Sequence, residues 1–150
     1  MRVGEVCNRE VVVVARTESV LTAAKRMREH HVGDLVVVDG EGEEKVPVGI
    51  LTDRDLVVSV LAQDPQDLPR ILVADMLARP IVTVREDDPM TEVIRLMRVH
   101  GVRRRPVVDG DARLVGLVAF DDVVEDLAEL LGDLALISHA QRRREEKLRP

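Results

Sequence analysis

Aromatic side chains are almost absent from this sequence: Phe120 is the only one among 150 residues, and tryptophan and tyrosine do not occur. Proteins that bind single-stranded nucleic acid stack bases on several aromatic rings, so this kind of site cannot be assembled here. The formal net charge of −6 also disfavours nonspecific attraction to nucleic acid or to anionic lipid. A bound purine would have to lie between aliphatic side chains.

Cysteine and long apolar runs are equally scarce. Cys7 is the single cysteine, so an intramolecular disulfide is impossible and a reducing compartment is the expected setting. No stretch approaches the roughly 20 consecutive apolar residues that a membrane-spanning helix needs. The N-terminal sequence MRVGEVCNRE has no hydrophobic signal segment. We therefore expect a soluble, cytoplasmic protein that does not engage a membrane.

The sequence contains an internal repeat. Residues 3–40 align with residues 73–110 without a gap, and about 12 of 38 positions are identical. Each copy ends in a related motif, GILTDRDL and GLVAFDDV, which begin at Gly49 and Gly116. These features predict four segments: a first repeat at 1–62, a linker at 63–72, a second repeat at 73–131 and a C-terminal helical extension at 132–150.

Both copies predict the same order of elements, β-α-β-β-α. Short apolar runs bounded by turn residues predict the strands, and apolar residues at helical spacing predict the helices. A second helix is expected to begin near Asp53 or Asp121, because acidic side chains favour helix N-termini. Gly132 is expected to break that helix in the second copy, before a separate amphipathic helix. The predicted strands lie at 11–14, 36–38, 46–51, 81–84, 106–108 and 114–118, and the first helix of each copy lies at 19–30 and 89–100.

The duplicated unit with its closing motifs resembles the cystathionine beta-synthase (CBS) domain pair, or Bateman module. The resemblance covers residues 3 to about 130 and rests on VARTESVLTAAKRMREHHVGDLVVVD, VREDDPMTEVIRLMRVHGVRRRPVVD and the two closing motifs. It implies an α+β fold in which two repeats pack about a pseudo-twofold axis. The two clefts between them would bind an adenosine-containing ligand: AMP, ADP, ATP, NAD or S-adenosylmethionine. It also implies a stand-alone regulator, not an enzyme, that forms a homodimer and acts on an effector protein.

Three residues of the first closing motif, Thr52, Arg54 and Asp55, are candidates for the first cleft, and the resemblance assigns the ribose contact to Asp55. A carboxylate such as Asp55 accepts hydrogen bonds from both vicinal hydroxyls of a ribose. A hydroxyl beside free backbone N–H groups at a helix start suits a phosphate. The alternative is that Thr52 and Asp55 only cap the helix and that Arg54 is solvated. Carried over from the family, Arg104 and Arg103 of the second repeat would face this cleft.

The second cleft would contain Asp122, the equivalent of Asp55. Carried over from the family in the same way, the phosphate end of this cleft would be formed by residues of the first repeat, namely His30, His31 and Asp34. This arrangement predicts a cleft that takes adenosine without strong phosphate contacts, or that is vacant.

The adenine edge is expected near the first strand of each repeat. Thr83 would offer a hydrogen bond to the base in the second repeat, and Val13 stands at the equivalent position in the first.

Other chemistries find little support in the sequence. His30 and His31 are adjacent, so they point about 100 degrees apart on a helix and predict an exposed helix end more than a metal site, with Cys7 the one further ligand available. A Gly-rich phosphate loop and a serine-histidine signature are both absent.

A dimeric scaffold with vestigial nucleotide sites is the main alternative, with the partner bound through the helix from Asp133 to Leu148. Nucleic-acid binding through QRRREEKLRP is disfavoured by its two glutamates.

Overall fold

The computed structural model describes residues 1–149 and contains two three-stranded sheets, one from each repeat. In each sheet the first strand is parallel to the central strand, and the third strand is antiparallel to it. The predicted mixed fold of two tandem units is therefore confirmed. The first sheet comprises β1 (Val13–Ala15), β2 (Asp34–Asp39) and β3 (Val46–Thr52), and the second comprises β4 (Val84–Arg85), β5 (Arg104–Val108) and β6 (Leu114–Ala119).

The long helix that follows the first strand of each repeat begins at a different kind of N-cap but ends in the same way. Ser19 Oγ accepts a hydrogen bond from Thr22 N and starts the second helix of the chain, whereas Pro89 precedes the fourth as its N-cap. The second and fourth helices end at left-handed residues, His31 with φ 54 and Gly101 with φ 62. The helices are α1 (Val3–Val6), α2 (Val20–His30), α3 (Asp53–Asp55, continued by a π turn at Leu56–Val60 and a 3-10 turn at Leu61–Gln63), α4 (Met90–His100) and α5 (Phe120–Leu148).

The break expected at Gly132 is wrong. Helix α5 runs without interruption for 29 residues and passes through this glycine. A single glycine costs a helix only about 1 kcal/mol relative to alanine, and strong helix formers surround it here. The C-terminal extension is therefore the same helix that closes the second repeat.

The two repeats exchange their N-terminal segments, so that each segment packs in the hydrophobic core of the other repeat. Val3, from the start of the first repeat, is fully buried among Val84, Val93 and other core residues of the second. Val73, from the start of the second repeat, is fully buried in the core of the first. Each packed unit therefore takes its first helical turn from the other sequence repeat.

The exchanged segments explain the glycine that opens each closing motif. A Cβ on Gly116 would lie 2.8 Å from Cys7 Sγ, and a Cβ on Gly49 would collide with the side chain of Leu77. Backbone hydrogen bonds of 2.9 Å in both directions fix Asn8 against Leu117. In both repeats the incoming segment of the other repeat passes directly over the strand. At Gly116 this segment also brings the backbone oxygen of Asn8 to 3.2 Å from the Cβ position, whereas at Gly49 the contact is the flexible end of Leu77.

Candidate ligand-binding clefts

The first candidate site lies where β3 ends and α3 begins. Thr52 N donates to Asp55 Oδ2 at 2.9 Å, and Asp55 N donates to Thr52 Oγ1 at 3.1 Å. The two side chains thus form a reciprocal helix cap, and both are half-buried. These bonds use one oxygen of the carboxylate, so capping and a second acceptor role are compatible.

The equivalent site in the second repeat is simpler. Ala119 N donates to Asp122 Oδ2 at 3.1 Å, and Ala119 has no side-chain oxygen that could return a hydrogen bond. Asp122 therefore repeats the position of Asp55 without its hydroxyl partner. The two closing motifs therefore differ chemically at matching helix starts, with a hydroxyl in the first and a methyl group in the second.

An ion pair joins the two repeats between the two candidate sites, because Arg104 stands opposite Ala119 in the β5–β6 pairing. Arg104 Nε lies 3.0 Å from Asp34 Oδ1, and the Asp34 side chain is only 10% exposed. Asp34 stands directly opposite Thr52 in the β2–β3 pairing. Burial raises the pKa of the Asp34 carboxyl, Arg104 lowers it and nearby Asp53 raises it, with a net upward direction. Sequence reasoning placed Asp34 in one cleft and Arg104 in the other, whereas the structure brings them together.

The neighbouring arginine points elsewhere. Arg103 Nη2 contacts Asp121 Oδ1 at 2.8 Å, and its guanidinium lies 5.0 Å from the ring centre of Phe120. Both contacts are within the second repeat. Arg54 is exposed at the start of α3.

Arg105 follows Arg103 and Arg104 directly in sequence but is buried. It is 5% exposed, and its guanidinium donates to Val82 O at 3.3 Å and to Leu96 O at 3.1 Å. Its Nε has no hydrogen-bond partner, and burial lowers its pKa. The signal that could have found this is the repeat itself, because Leu35 occupies the equivalent position in the first copy.

Two open polar clefts adjoin Val13. One, of about 910 Å³, is lined by Val13, Glu18, Arg26 and His30 among others. The other, of about 450 Å³, shares Arg9 and Lys45 with the first and adds Arg113. Sequence reasoning missed these three cations. Thr52, Asp55, Arg104 and Asp122 line neither cleft, and Thr83 is half-buried just before β4. Val13 therefore lines cavities to which the capped helix starts do not contribute.

The histidines of the first repeat are exposed at the end of α2. Within residues 1–149, no three His, Cys, Asp or Glu side chains are grouped closely enough to hold a metal ion. Cys7 lies against Gly116, and burial raises the pKa of its thiol. None of the described helices is long and apolar enough to span a membrane.

Comparison with known proteins decides the family. The family model described as "CBS domain" matches residues 3–62 and again residues 73–129, which together make up most of the chain. The chain belongs to the CBS domain family. The two matches correspond to the two packed repeats, so the resemblance seen in the motifs is confirmed.

The chain is similar in sequence to curated relatives and in fold to solved CBS structures. An uncharacterized protein of Methanopyrus kandleri is 37% identical over 123 residues, which cover 82% of this chain and 61% of that protein, so the chain spans less than two thirds of this relative. A CBS domain protein from Pyrobaculum aerophilum complexed with AMP has a TM-score of 0.74 and 26% identity, covering 88% of this chain and 97% of that one. The CBS domain pair of protein MJ0100, in complex with 5′-methylthioadenosine and S-adenosyl-L-methionine, has a TM-score of 0.72 and 27% identity, covering 86% and 97%.

Proposed function

We propose that this CBS domain pair is a regulatory module that binds an adenosine-containing ligand between its repeats. AMP, ADP or ATP is the preferred ligand, before NAD or S-adenosylmethionine. The observation that carries the proposal is the 3.0 Å ion pair between Arg104 and Asp34, which spans the repeats beside the capped helix start at Thr52 and Asp55. The two solved relatives are complexes with adenosine compounds, which supports the same ligand class.

Each side chain of the first cleft has a distinct role in the proposal. Asp55 accepts hydrogen bonds from the ribose hydroxyls with the oxygen that the cap leaves free. Thr52 and the backbone N–H groups at the start of α3 face the phosphate. Arg104 supplies the main positive charge. Arg54 is exposed at the start of α3, and Arg103 contributes when its contact with Asp121 is exchanged for phosphate.

Ligand binding would change how the repeats contact each other. A phosphate competes with the Asp34 carboxylate for the Arg104 guanidinium, because both are anions that fit the same donor. The contact between the two repeats is then replaced by a contact through the ligand. A ligand that binds one arrangement of the repeats more tightly shifts the population toward it, and an effector protein that distinguishes the arrangements reads the signal.

The second cleft is proposed to differ in ligand preference. Asp122 offers the same carboxylate as Asp55, but Ala119 cannot contact a phosphate. Thr83 offers a hydroxyl to the adenine edge where the first repeat has Val13. This cleft would therefore take adenosine with little contribution from phosphate.

Calorimetry tests the ligand class. The full chain is titrated with AMP, ADP, ATP, NAD and S-adenosylmethionine at up to about 1 mM, which detects even weak binding. Saturable heat with at least one nucleotide is expected. Flat titrations with all five would overturn the proposal and favour a scaffold role, for which the exposed leucines of α5 are the supporting feature.

Two aspartate variants test the assignment of the stronger cleft. Asp55→Ala and Asp122→Ala are matched, because each removes one carboxylate and one hydrogen bond to a capping N–H. Asp55→Ala should weaken nucleotide binding by about tenfold or more, since a charged acceptor for the ribose is lost, and Asp122→Ala should weaken it less. Equal losses in the titrations would show that the stronger cleft is assigned wrongly.

A further inference from the structure

The outer part of α5 carries an apolar stripe that is left in solvent. Leu127 is 44% exposed, and Leu131, Leu134 and Ile137 are each more than 60% exposed. These residues recur at intervals of three or four positions, so they share one face of the helix. A contiguous exposed apolar face of this length is typical of a surface that packs against another helix.

The charges of the same helix are divided between its ends. The half before Leu134 is acidic and the half after it is mainly basic, with Glu145 and Glu146 as the exceptions. Two such helices attract each other when they run in opposite directions, whereas a parallel pair places like charges side by side. The acidic residues are Asp121, Asp122, Glu125, Asp126, Glu129 and Asp133, and the basic residues are Arg142, Arg143, Arg144 and Lys147.

We propose that α5 pairs antiparallel with α5 of a second copy of this chain, about a twofold axis at Leu134. In this register Leu131 lies opposite the partner's Ile137, so the stripe covers itself. Asp126 and Arg144 are about five helical turns apart and project from the same side. Asp126 therefore lies beside the partner's Arg144. The twofold symmetry makes this contact occur twice.

The end of the partner helix also meets an apolar groove. The same register brings the partner's Leu148 to the level of Phe120. Phe120, Ile94, Val124 and Leu127 line a groove of about 380 Å³ between α4 and α5. Leu148 is 70% exposed in the single chain, so burial in this groove removes apolar surface from water.

Sedimentation equilibrium of the full chain tests the stripe. Leu134→Asp places a charge at the centre of the pair and should weaken dimerisation by about a hundredfold or more. Leu136→Asp is the control: Leu136 is 58% exposed against 61% for Leu134, but it faces the opposite side of the helix. Leu136→Asp should leave the mass unchanged. Equal effects of the two variants, or no effect of either, would overturn the proposal.

Disulfide formation tests the orientation. In a Cys7→Ser background, an equal mixture of Leu127→Cys chains and Gln141→Cys chains should cross-link to each other, because the antiparallel register places these positions opposite one another. Leu127→Cys alone should stay uncross-linked. Homotypic cross-linking of Leu127→Cys would instead indicate a parallel pair and contradict the proposal.

Charge reversal tests whether the charges choose the orientation. Asp126→Arg alone, and Arg144→Asp alone, should each weaken dimerisation by about tenfold, since every substitution acts at two contacts. The two together should restore the wild-type dissociation constant. A double variant that stays as weak as either single one would mean that α5 binds some other surface. Nucleotide titration of Leu134→Asp should be unaffected, so this proposal and the ligand proposal fail separately.

Discussion

Arg26 and Arg105 serve the same purpose in the two repeats from different positions. Arg26 Nη1 donates from α2 to Val13 O at 2.8 Å, and Arg105 Nη1 donates from β5 to Val82 O at 3.3 Å. Val13 is the first residue of β1, and Val82 lies two residues before β4, so the two carbonyls lie one position apart in the repeat alignment. A buried carbonyl without a donor is costly, so each repeat supplies a guanidinium for it.

Exchanging these arginines gives a stability prediction at the residue scale. Arg105→Leu introduces the residue found at the equivalent Leu35. It should lower the free energy of unfolding by about 1–3 kcal/mol, because Val82 O and Leu96 O each lose a hydrogen bond from the guanidinium. Adding Leu96→Arg places an arginine at the position equivalent to Arg26 and should recover part of the loss. Urea denaturation gives the free energy of unfolding of the wild-type protein, the single variant and the double variant. A double variant no more stable than Arg105→Leu would contradict this account.

Arg103, Arg104 and Arg105 look alike in sequence but have three different environments. Arg103 is exposed over Phe120, Arg104 spans the repeats, and Arg105 is buried beneath α4. Adjacent strand residues point to opposite faces, which separates Arg104 from Arg105. The sequence indicated a cationic segment near a cleft, but the division of roles depended on what lies on each face of β5.

At the scale of elements, α5 is the feature that departs most from expectation. Its start at Phe120 agrees with the predicted helix near Asp121, because the local acidic signal at a helix N-terminus is strong. Its continuity through Gly132 could not be read from the same local rules, which treat glycine as a stop. A Cβ on Gly132 would meet nothing within 4 Å, so the glycine has no packing role in the single chain.

Gly132→Ala should therefore stabilise the protein by about 0.5–1 kcal/mol. Alanine removes the backbone entropy cost of glycine in a helix and introduces no clash. Urea denaturation followed by circular dichroism measures both the midpoint and the helical signal. A lower midpoint would mean that the helix bends or packs at this residue in solution.

At the scale of the whole molecule, the exchange of N-terminal segments ties the repeats together. Val3 completes the core of the second repeat, and Val73 completes the core of the first. Further contacts across the repeats include Leu114 N to Lys45 O at 2.8 Å and Arg113 Nε to Glu44 Oε2 at 2.9 Å. Neither repeat has a full core without the other, so the pair should unfold as one unit.

Gly116→Ala tests this crossing. The new Cβ would lie 2.8 Å from Cys7 Sγ and 3.2 Å from Asn8 O, so the crossing segment must move, and we expect a loss of about 1–3 kcal/mol in unfolding free energy. Gly110→Ala is the matched control, because its Cβ meets nothing within 4 Å. Combining Gly116→Ala with Cys7→Ala should recover part of the loss. Calorimetric unfolding that is unchanged by Gly116→Ala would argue against the close crossing.

The sequence by itself determined the duplication, the order of strands and helices, and the family. These follow from hydrophobic periodicity, turn residues and closing motifs, all of which are local along the chain. Only the tertiary structure decided that Arg104 meets Asp34, that Cys7 covers Gly116 and that Arg105 is buried. The first two contacts join residues far apart in sequence, and they form because the two repeats pack against each other. Arg105 is buried within its own repeat, where the chain before β4 and helix α4 supply its hydrogen-bond acceptors.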